Sequence, residues 1–300
     1  MTRVLCVGVA VIDMVMNLAE MPSKPEKYRA RDAALVGGGC AATAAVAVAR
    51  LGGRALLAGR LGQDAIGELI VGELESEGVD CTLLRRFSGR RSSFSSVFVD
   101  DHGERQIVNF RDTELPDDPA WLIERLPDFD VALADTRWSQ GAAAVMAAAR
   151  AAGKPGVLDA ETLSRGAEGA LRAASHVAFS AQGLRAFAAT RDLGTGLELA
   201  AARLGGLVAV TDGARGVFWH EGGQRGHEPG FAVDSVDSLG AGDVWHGAFA
   251  LALGEGQSLR PALRFANASA AIKCTRPGGR AGAPSRAEVT QFLKVRDPCN

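Results

Sequence analysis

The sequence predicts an α/β fold with a mainly parallel central β-sheet, and three observations support this. Short apolar runs alternate along the chain with Ala-rich segments of helical composition. The runs are continuously apolar, as in parallel strands that are buried on both faces. Two stretches, at 14–36 and 82–111, break this alternation and contain polar turns. We therefore expect one three-layer domain over residues 1–300, with a small β-sheet lid formed by those two stretches.

The predicted elements follow in order along the chain. Strands are expected at the apolar runs VLCVGVAVID, ALLAGR, DVALAD, PGVLD, HVAFS and GLVAVTD. Helices are expected at 40–51, 64–77, 140–152 and 197–204. The segment SSFSSVFVDDHGERQIVNF alternates around a DDHGE turn, which predicts antiparallel hairpins in the lid. A lid indicates a site from which water is excluded.

Composition excludes several classes of function. Lys and Arg number 33 against 35 Asp and Glu, so no net basic field favours nucleic acid or an anionic membrane. The 5 cysteines form no CxxC pair, which argues against a disulfide framework or a zinc knuckle. The apolar run from Val4 to Ile12 is too short for a signal peptide. We expect a soluble, cytoplasmic protein with reduced thiols.

The segment Asp237-Ser-Leu-Gly-Ala-Gly-Asp243 gives the strongest chemical signal, because an apolar helical run follows it. Small residues at a helix start leave N–H groups that, with the helix dipole, favour an anion. Asp243 falls in the first turn, where its carboxylate could face the same point. Phosphoryl transfer needs donors for the transferred group and a base for the attacking hydroxyl. A plain turn and helix cap would explain an isolated segment of this kind equally well.

Other motifs accompany this segment in a definite order: VGGG from residue 36, DxxGER at 100–105 and VTDGARG at 210–216. Together they resemble the ribokinase-like carbohydrate kinases, the PfkB family, along essentially the whole chain. The chain has no GxxxxGK[ST], and no GxGxxG follows its first strand, so neither motif is expected to hold the nucleotide. The resemblance implies a ribokinase-like fold and a kinase that uses ATP and Mg²⁺.

The resemblance also implies roles for individual residues. In this family the aspartate of GAGD is the catalytic base, which matches Asp243, and the preceding small residues form the anion hole. Those residues are Gly240, Ala241 and Gly242. Sugar hydroxyls are expected at Asp13, with the backbone of Gly38 and Gly39 close by. Nucleotide contacts are expected at Ser180, Thr211, Gly213, Gly216 and Asn267.

Departures from the family pattern narrow these expectations. Ala42 stands where most sugar kinases of the family carry an asparagine that binds the sugar. The NxxE segment linked to magnesium is replaced by residues 180–183, which contain no acid. The metal is therefore expected to be held mainly by phosphates and water. DSLGAGD replaces the common DTTGAGD, which leaves the family's monovalent-cation site near Asp237 in doubt.

The strings KYRARD, VGGGCAATAA, GERQIVNF, LADTRW and KCTRPGGRAG resemble the bacterial sulfofructose kinases within this family. Those enzymes phosphorylate the 1-hydroxyl of 6-deoxy-6-sulfofructose. A sulfonate needs cationic or amide donors at the end of the substrate pocket remote from Asp243. The candidates are Arg137, Asn109 on the second lid hairpin and Lys27, which is predicted to begin a lid strand. Arg111 could substitute for Lys27. Each has an ordinary alternative, either an ion pair of Arg137 with Asp135 or Asp159, or a solvated strand residue.

Several functions remain open at this stage. A sugar 6-phosphate would satisfy the same cluster, which makes phosphofructokinase or tagatose-phosphate kinase activity the closest rival, followed by fructokinase activity. Because the acid of NxxE is missing, a catalytically silent protein that senses nucleotide or sugar is an alternative to a kinase. A nucleoside kinase would require an apolar or aromatic pocket in place of Arg137. The family resemblance further implies a homodimer joined through the lid, where FSSVFV offers apolar side chains.

Overall fold

The computed structural model describes residues 1–162 and 166–296 of the chain. The strands are β1 (Arg3–Val7), β2 (Val11–Asn17), β3 (Asp32–Gly38), β4 (Arg54–Gly62), β5 (Asp80–Phe87), β6 (Phe94–Val99), β7 (Arg105–Phe110), β8 (Val131–Asp135), β9 (Gly156–Ala160), β10 (His176–Ser180), β11 (Leu207–Thr211), β12 (Val217–Glu221) and β13 (Gln224–Glu228). The helices are α1 (Cys40–Arg50), α2 (Ala65–Ser76), α3 (Ala120–Ile123), α4 (Ser139–Ala151), α5 (Glu168–Ala173), α6 (Ala181–Ala188), α7 (Leu193–Leu204), α8 (Ala241–Gly254), α9 (Leu259–Cys274) and α10 (Arg286–Arg296). Cys299, predicted to be a reduced thiol, lies outside the described residues.

The predicted central sheet is confirmed. Nine strands pair in the order β13-β12-β11-β10-β9-β8-β1-β4-β5. The strands from β11 to β5 in this order are parallel, and β12 and β13 add an antiparallel edge. Residues of β8 and β9 are buried throughout, which explains why their sequences are continuously apolar apart from Asp135 and Asp159 near their carboxyl ends.

Helices cover both faces of this sheet and give the expected three layers. On one face α1, α8 and α9 pack around Trp245, Phe249 and Leu251. On the other face α4, α5 and α7 pack around Trp138, Met146 and Phe179. Among the described residues, no helix is long and apolar enough to cross a bilayer.

The lid is a second sheet of four strands in the order β3-β2-β6-β7. The hairpin of β6 and β7 around the DDHGE turn is confirmed, whereas β2 pairs with β6 in parallel. The predicted lid boundary at residue 82 is wrong, because β5 pairs with β4 in the central sheet. Leu84 is buried in the hydrophobic cluster on one face of the central sheet and Leu83 in the cluster on the other face. This burial stabilises the segment as a core strand.

The first apolar run is divided between the two sheets. It leaves the central sheet after Val7 and enters the lid at Val11, so the prediction of one continuous strand is wrong. At the switch, a Cβ at Gly8 would overlap the Asp135 carboxylate, which is why only glycine fits there. Asp13 consequently lies within the lid strand β2, opposite Val36, and not at the end of a core strand.

Candidate active site

Polar side chains gather where the parallel strands end. Asp135 ends β8, Asp159 lies one residue before the end of β9, and Ser180 and Thr211 end β10 and β11. The carboxyl ends of parallel strands share one edge of a sheet, and ligands of open α/β sheets bind there. The lid connects to the same edge through the 8–10 switch.

The start of α8 provides free backbone donors. Gly240 caps this helix in the left-handed region, with φ 76°, a conformation that favours glycine. The N–H groups of Gly240, Gly242 and Asp243 meet no acceptor among the described residues, and the space above the Gly242 Cα is open. The Ala241 N–H, also predicted to belong to the anion hole, donates to the Ser238 carbonyl at 3.1 Å in this structure. The remaining donors can hold an anion at a helix N-terminus.

Asp243 lies in the first turn of α8, as predicted, and shares its surroundings with other acids. One ligand atom each of Cys40, Asp159 and Asp243 falls within 4.8 Å of the other two. The Cys40 thiol hydrogen-bonds to the Asp243 carboxylate and lies 3.9 Å from Glu161 Oε2. Burial, and then the negative charges of Asp159 and Glu161, raise the pKa of Asp243 well above its usual value.

A raised pKa suits a carboxylate that must accept a proton near neutral pH. The Cys40 hydrogen bond opposes the shift, because it favours the ionised carboxylate. Burial likewise raises the pKa of the Cys40 thiol well above its ordinary value, so the thiol remains protonated and acts as a donor. The site therefore holds a base whose basicity depends on its neighbours.

Asp135 organises the junction between the lid and the central sheet. Its buried carboxylate accepts hydrogen bonds from the N–H groups of Val9 at 2.8 Å, Ala41 at 3.1 Å and Arg137 at 2.8 Å. One acid thus fixes the switch, the start of α1 and the turn after β8. The suggested ion pair between Arg137 and Asp135 is replaced by this backbone contact, and the Arg137 guanidinium instead lies 3.6 Å from Glu161.

The sugar-binding candidates of the lid lie in one row across its strands. Asp13 pairs in register with Ser95, which pairs with Asn109. Ser95 hydrogen-bonds to Asp13, and Asn109 Nδ2 donates to Ser95 Oγ at 3.1 Å. A Cβ at Gly38 would lie 2.7 Å from the Asp13 carboxylate, so these two candidates for sugar binding lie side by side. Burial raises the pKa of Asp13. The hydrogen bond from Ser95 and the positive charge of Arg280 act in the opposite direction and lower it.

Three guanidinium groups line a single cavity beneath the lid. Its walls comprise Gly8, Val9, Arg60, Ser93, Arg111, Asp112, Leu115, Arg137 and Trp138. Arg60 lies over the Trp138 ring, 5.0 Å from its centroid, and forms an ion pair with Asp117. Arg111 follows the last lid strand directly and has no ion pair within the described part of the chain. These arginines come from three separate segments that the fold brings together.

Lys27 does not lie with them in the structure. It is exposed on the segment between β2 and β3, and the predicted strand beginning there is wrong, since β3 begins at Asp32. None of the described residues holds its ammonium through a hydrogen bond or an ion pair. Arg111, the named substitute, is the residue that the fold places beside Arg137.

The nucleotide candidates divide into two groups. Thr211, Gly213 and Gly216 lie at the turn between β11 and β12, where the space beside the Gly213 Cα is open. Asn267 is buried, accepts from Trp245 Nε1 and donates to the carbonyls of Glu228 and Pro229. Ser180 caps α6 by accepting from the Gly183 N–H at 2.9 Å. The side chains of Asn267 and Ser180 are thus engaged by the protein, and Thr211 Oγ1 likewise donates to the Phe179 carbonyl at 3.4 Å, so Gly213 is the open position of this group.

Several site residues escaped the sequence analysis, each for an identifiable reason. Cys40 and Glu161 have no motif around them, and only the fold brings them to Asp243. Arg60 ends the apolar run ALLAGR, so a charge at the carboxyl end of a buried strand was the available signal. Asp159 was considered only as a partner of Arg137, yet it lies beside Asp243.

This fold and site define a sugar kinase that transfers a phosphoryl group from ATP. A model of the pfkB family carbohydrate kinases matches residues 1–286, and the chain belongs to that family. A crystal structure of a candidate ribokinase from Agrobacterium tumefaciens superimposes with a TM-score of 0.90 at 35% identity, over 100% of this chain and 99% of that one.

Two further relatives agree. The ribokinase of Arabidopsis thaliana, solved with ribose and ATP, gives a TM-score of 0.86 at 25% identity, over 98% of each chain. The ATP-dependent ribose-1-phosphate kinase of Halopiger xanaduensis is 30% identical over 99% of each chain. The predicted ribokinase-like fold and the ATP-dependent sugar kinase class are confirmed, and the sugar itself is left open by these names.

Proposed function

We propose that this chain phosphorylates the 1-hydroxyl of 6-deoxy-6-sulfofructose, with ATP as donor and Asp243 as the general base. The observation that carries the proposal is the cavity lined by Arg60, Arg111 and Arg137. A neutral sugar offers no group to match three guanidinium groups, whereas a sulfonate accepts several charge-assisted hydrogen bonds from them.

The charge balance of this cavity favours a monoanion. Arg60 already pairs with Asp117, and Arg137 lies 3.6 Å from Glu161, while Arg111 has no such partner among the described residues. The carboxylate of Asp112 also lines the cavity, where it accepts from the N–H groups of Arg91 and Glu114. A phosphate carries close to two negative charges at neutral pH, so a sulfonate with one suits this cavity better.

Glu161 connects the cavity to the catalytic base. Its Oε2 atom lies 3.6 Å from Arg137 Nη2 and 3.9 Å from Cys40 Sγ, and Cys40 in turn hydrogen-bonds to Asp243. The anion cavity and the base are therefore separated by little more than two side chains. A short sugar with a hydroxyl at one end and a sulfonate at the other would reach both.

In the proposed reaction, Asp243 accepts the proton of the 1-hydroxyl as the sugar oxygen bonds to the γ-phosphorus of ATP. The bond from that phosphorus to the bridging oxygen breaks, and ADP leaves with the electron pair. The N–H groups of Gly240, Gly242 and Asp243 stabilise the charge of the transferred group. Asp13 and the backbone of Gly38 and Gly39 orient the sugar.

The residues around Asp243 fit a magnesium ion in part. Carboxylates such as those of Asp159 and Glu161 suit Mg²⁺, whereas a thiol such as that of Cys40 does not. We propose that Asp159 and Glu161 hold the ion through water, together with the phosphates, in place of the missing NxxE acid. When bound, Mg²⁺ neutralises phosphate charge. Thr211, Gly213 and Gly216 are proposed to contact the nucleotide.

A comparison of substrates tests the proposal. Steady-state kcat/KM is measured with 6-deoxy-6-sulfofructose, fructose 6-phosphate, tagatose 6-phosphate and fructose, at one ATP and Mg²⁺ concentration. We expect the sulfosugar to exceed the others by about ten- to a hundredfold, the discrimination that a matched charged hydrogen bond provides. A preference for a sugar phosphate or for fructose would refute the sulfosugar assignment. Absence of turnover with every sugar would favour a silent sensor.

We further propose a homodimer joined through the lid. Leu35 on β3 and Ile107 and Val108 on β7 are exposed by 59%, 58% and 62%. These strands form the two edges of the lid sheet, and exposed apolar edge strands are ordinarily covered. The predicted strand FSSVFV is instead a central strand, with Val97 buried. Light scattering of the wild type against Ile107→Asp tests this, with a shift to monomer expected in the variant.

A further inference from the structure

Lys273 is a fully buried lysine in the last turn of α9, with 0% of its surface exposed. Its Nζ atom donates to the Asp237 main-chain carbonyl at 2.6 Å and lies 3.3 Å from Asp237 Oδ2. Lysines are almost never fully buried unless they are paired. The side chain therefore places an ammonium group against the segment that begins the anion-hole turn.

Asp237 joins four parts of the molecule around this charge. Its carboxylate accepts from the N–H of Leu239 at 2.9 Å and from that of Gly279 at 3.1 Å, and Arg105 of the lid lies 3.4 Å away. Burial alone would raise the pKa of Asp237, but the two N–H donors and Lys273 lower it to about 2. Asp237 thus remains ionised and fixes the 237–240 turn against α9 and the 276–282 loop.

The residues beside Asp237 do not fit the monovalent cation that the family resemblance implies there. A potassium or sodium ion would need the carbonyl and carboxylate oxygens of Asp237, and the Lys273 ammonium already occupies both. Lys273 and Arg105 together bring two positive charges to one carboxylate, so an additional cation would be repelled. The monovalent-cation site near Asp237, which the departure to DSLGAGD left in doubt, is therefore not expected in this chain.

We infer that Lys273 acts as a tethered cation that positions the anion-hole turn, so that catalysis by this chain needs no monovalent metal ion. The inference rests on the proposed kinase mechanism, because its effect is on the N–H groups at the start of α8. Lys273 touches none of the reacting atoms and is a positioning residue. It holds the main chain at Asp237, three residues before Gly240.

The first test uses the wild-type enzyme alone. Its kcat and its KM for ATP are measured in potassium chloride, sodium chloride and tetramethylammonium chloride at constant ionic strength. Equal values in all three salts are expected. Activation by potassium or sodium over tetramethylammonium would overturn the inference, and this result does not depend on the folding of any variant.

The second test removes the tethered charge. In tetramethylammonium chloride, Lys273→Ala should lower kcat by roughly ten- to a hundredfold, the usual effect of misplacing catalytic groups from a distance. Ammonium or potassium ions should restore much of this loss, which a purely structural role of the lysine would not allow. A folded variant that keeps wild-type kcat, or that no cation restores, would overturn the inference. Lys294→Ala, at an exposed lysine of α10, is the matched control.

A third measurement separates this inference from the proposed substrate. Calorimetric binding of a non-hydrolysable ATP analogue is recorded for the wild type and for Lys273→Ala in each salt, without any sugar. Affinity that depends on potassium in the variant and not in the wild type would support the tethered cation even if the sulfosugar were wrong. An affinity for the ATP analogue that depends on potassium in the wild type would refute the tethered cation. If Lys273→Ala does not fold, Lys273→Arg, which keeps the charge, should show the same insensitivity as the wild type.

Discussion

The phosphoryl-transfer centre and the anion cavity of this kinase are built in different ways. The centre comes from one continuous segment, 237–243, in which glycines and an aspartate define both the anion hole and the base. The cavity is assembled from Arg60, Arg111 and Arg137, which lie on three distant segments. The chemistry of the reaction is thus encoded locally, while the choice of substrate depends on how β4, the lid and the turn after β8 meet.

The largest expected effect would test the local centre. Asp243→Asn removes the base and should lower kcat by about 10²- to 10⁴-fold, the usual contribution of general base catalysis. Binding of ATP, measured by calorimetry, should change little, since the β11–β12 turn is untouched. Asp192→Asn, which alters the exposed cap of α7, is the control and should keep its kcat. Wild-type kcat in Asp243→Asn would refute the assigned base.

The contrast between a locally encoded centre and an assembled cavity also explains which residues could be predicted from the sequence. The turn at Gly240 and the helix start before Asp243 were predicted correctly because both are local structures. Lys27 was misplaced because its strand assignment rested on a short segment without a supporting pattern, and the chain between β2 and β3 is irregular there.

The division of the central sheet from the lid was predicted in outline only. Strand composition identified the core strands, but it could not show that the first apolar run changes sheets at Gly8 or that 80–87 belongs to the core. Both depend on tertiary contacts: the Asp135 carboxylate against Gly8, and Leu83 and Leu84 against the helices on each face. Cys40 and Glu161 likewise reach Asp243 only through the fold.

The next expected effect would test the assembled cavity. Arg111→Ala removes the guanidinium that has no ion pair among the described residues, and should lower kcat/KM for the sulfosugar by roughly ten- to a hundredfold. Fructose turnover should change little, because a neutral sugar makes no charged contact there. Arg150→Ala, at the exposed end of α4, is the matched control. An equal loss with both sugars would indicate that Arg111 supports the fold and does not recognise an anion.

A smaller effect would show whether distant residues also tune the local centre. Burial raises the pKa of Asp243, and the charge of Asp159 raises it further. Asp159→Asn should therefore move the acidic limb of the kcat–pH profile to lower pH, since the base would stay ionised further into acid. Cys40→Ala removes a donor to the carboxylate and should move the limb to higher pH, while Cys40→Ser should resemble the wild type. Shifts in the opposite directions would contradict this account of the base.

The smallest effect concerns Ser180, where the sequence-based assignment and the geometry disagree. The resemblance implies a nucleotide contact, whereas the structure shows a cap on α6 and a hydrogen bond to the Glu161 carbonyl at 3.2 Å. Ser180→Ala should reduce the free energy of unfolding by about 1 kcal/mol, as loss of a helix cap does, and Ser180→Thr should retain most of it. Urea denaturation and the KM for ATP distinguish the two roles. A raised KM with unchanged stability would restore the nucleotide contact, and would show that local motifs extend further around the phosphoryl-transfer centre than the geometry indicates.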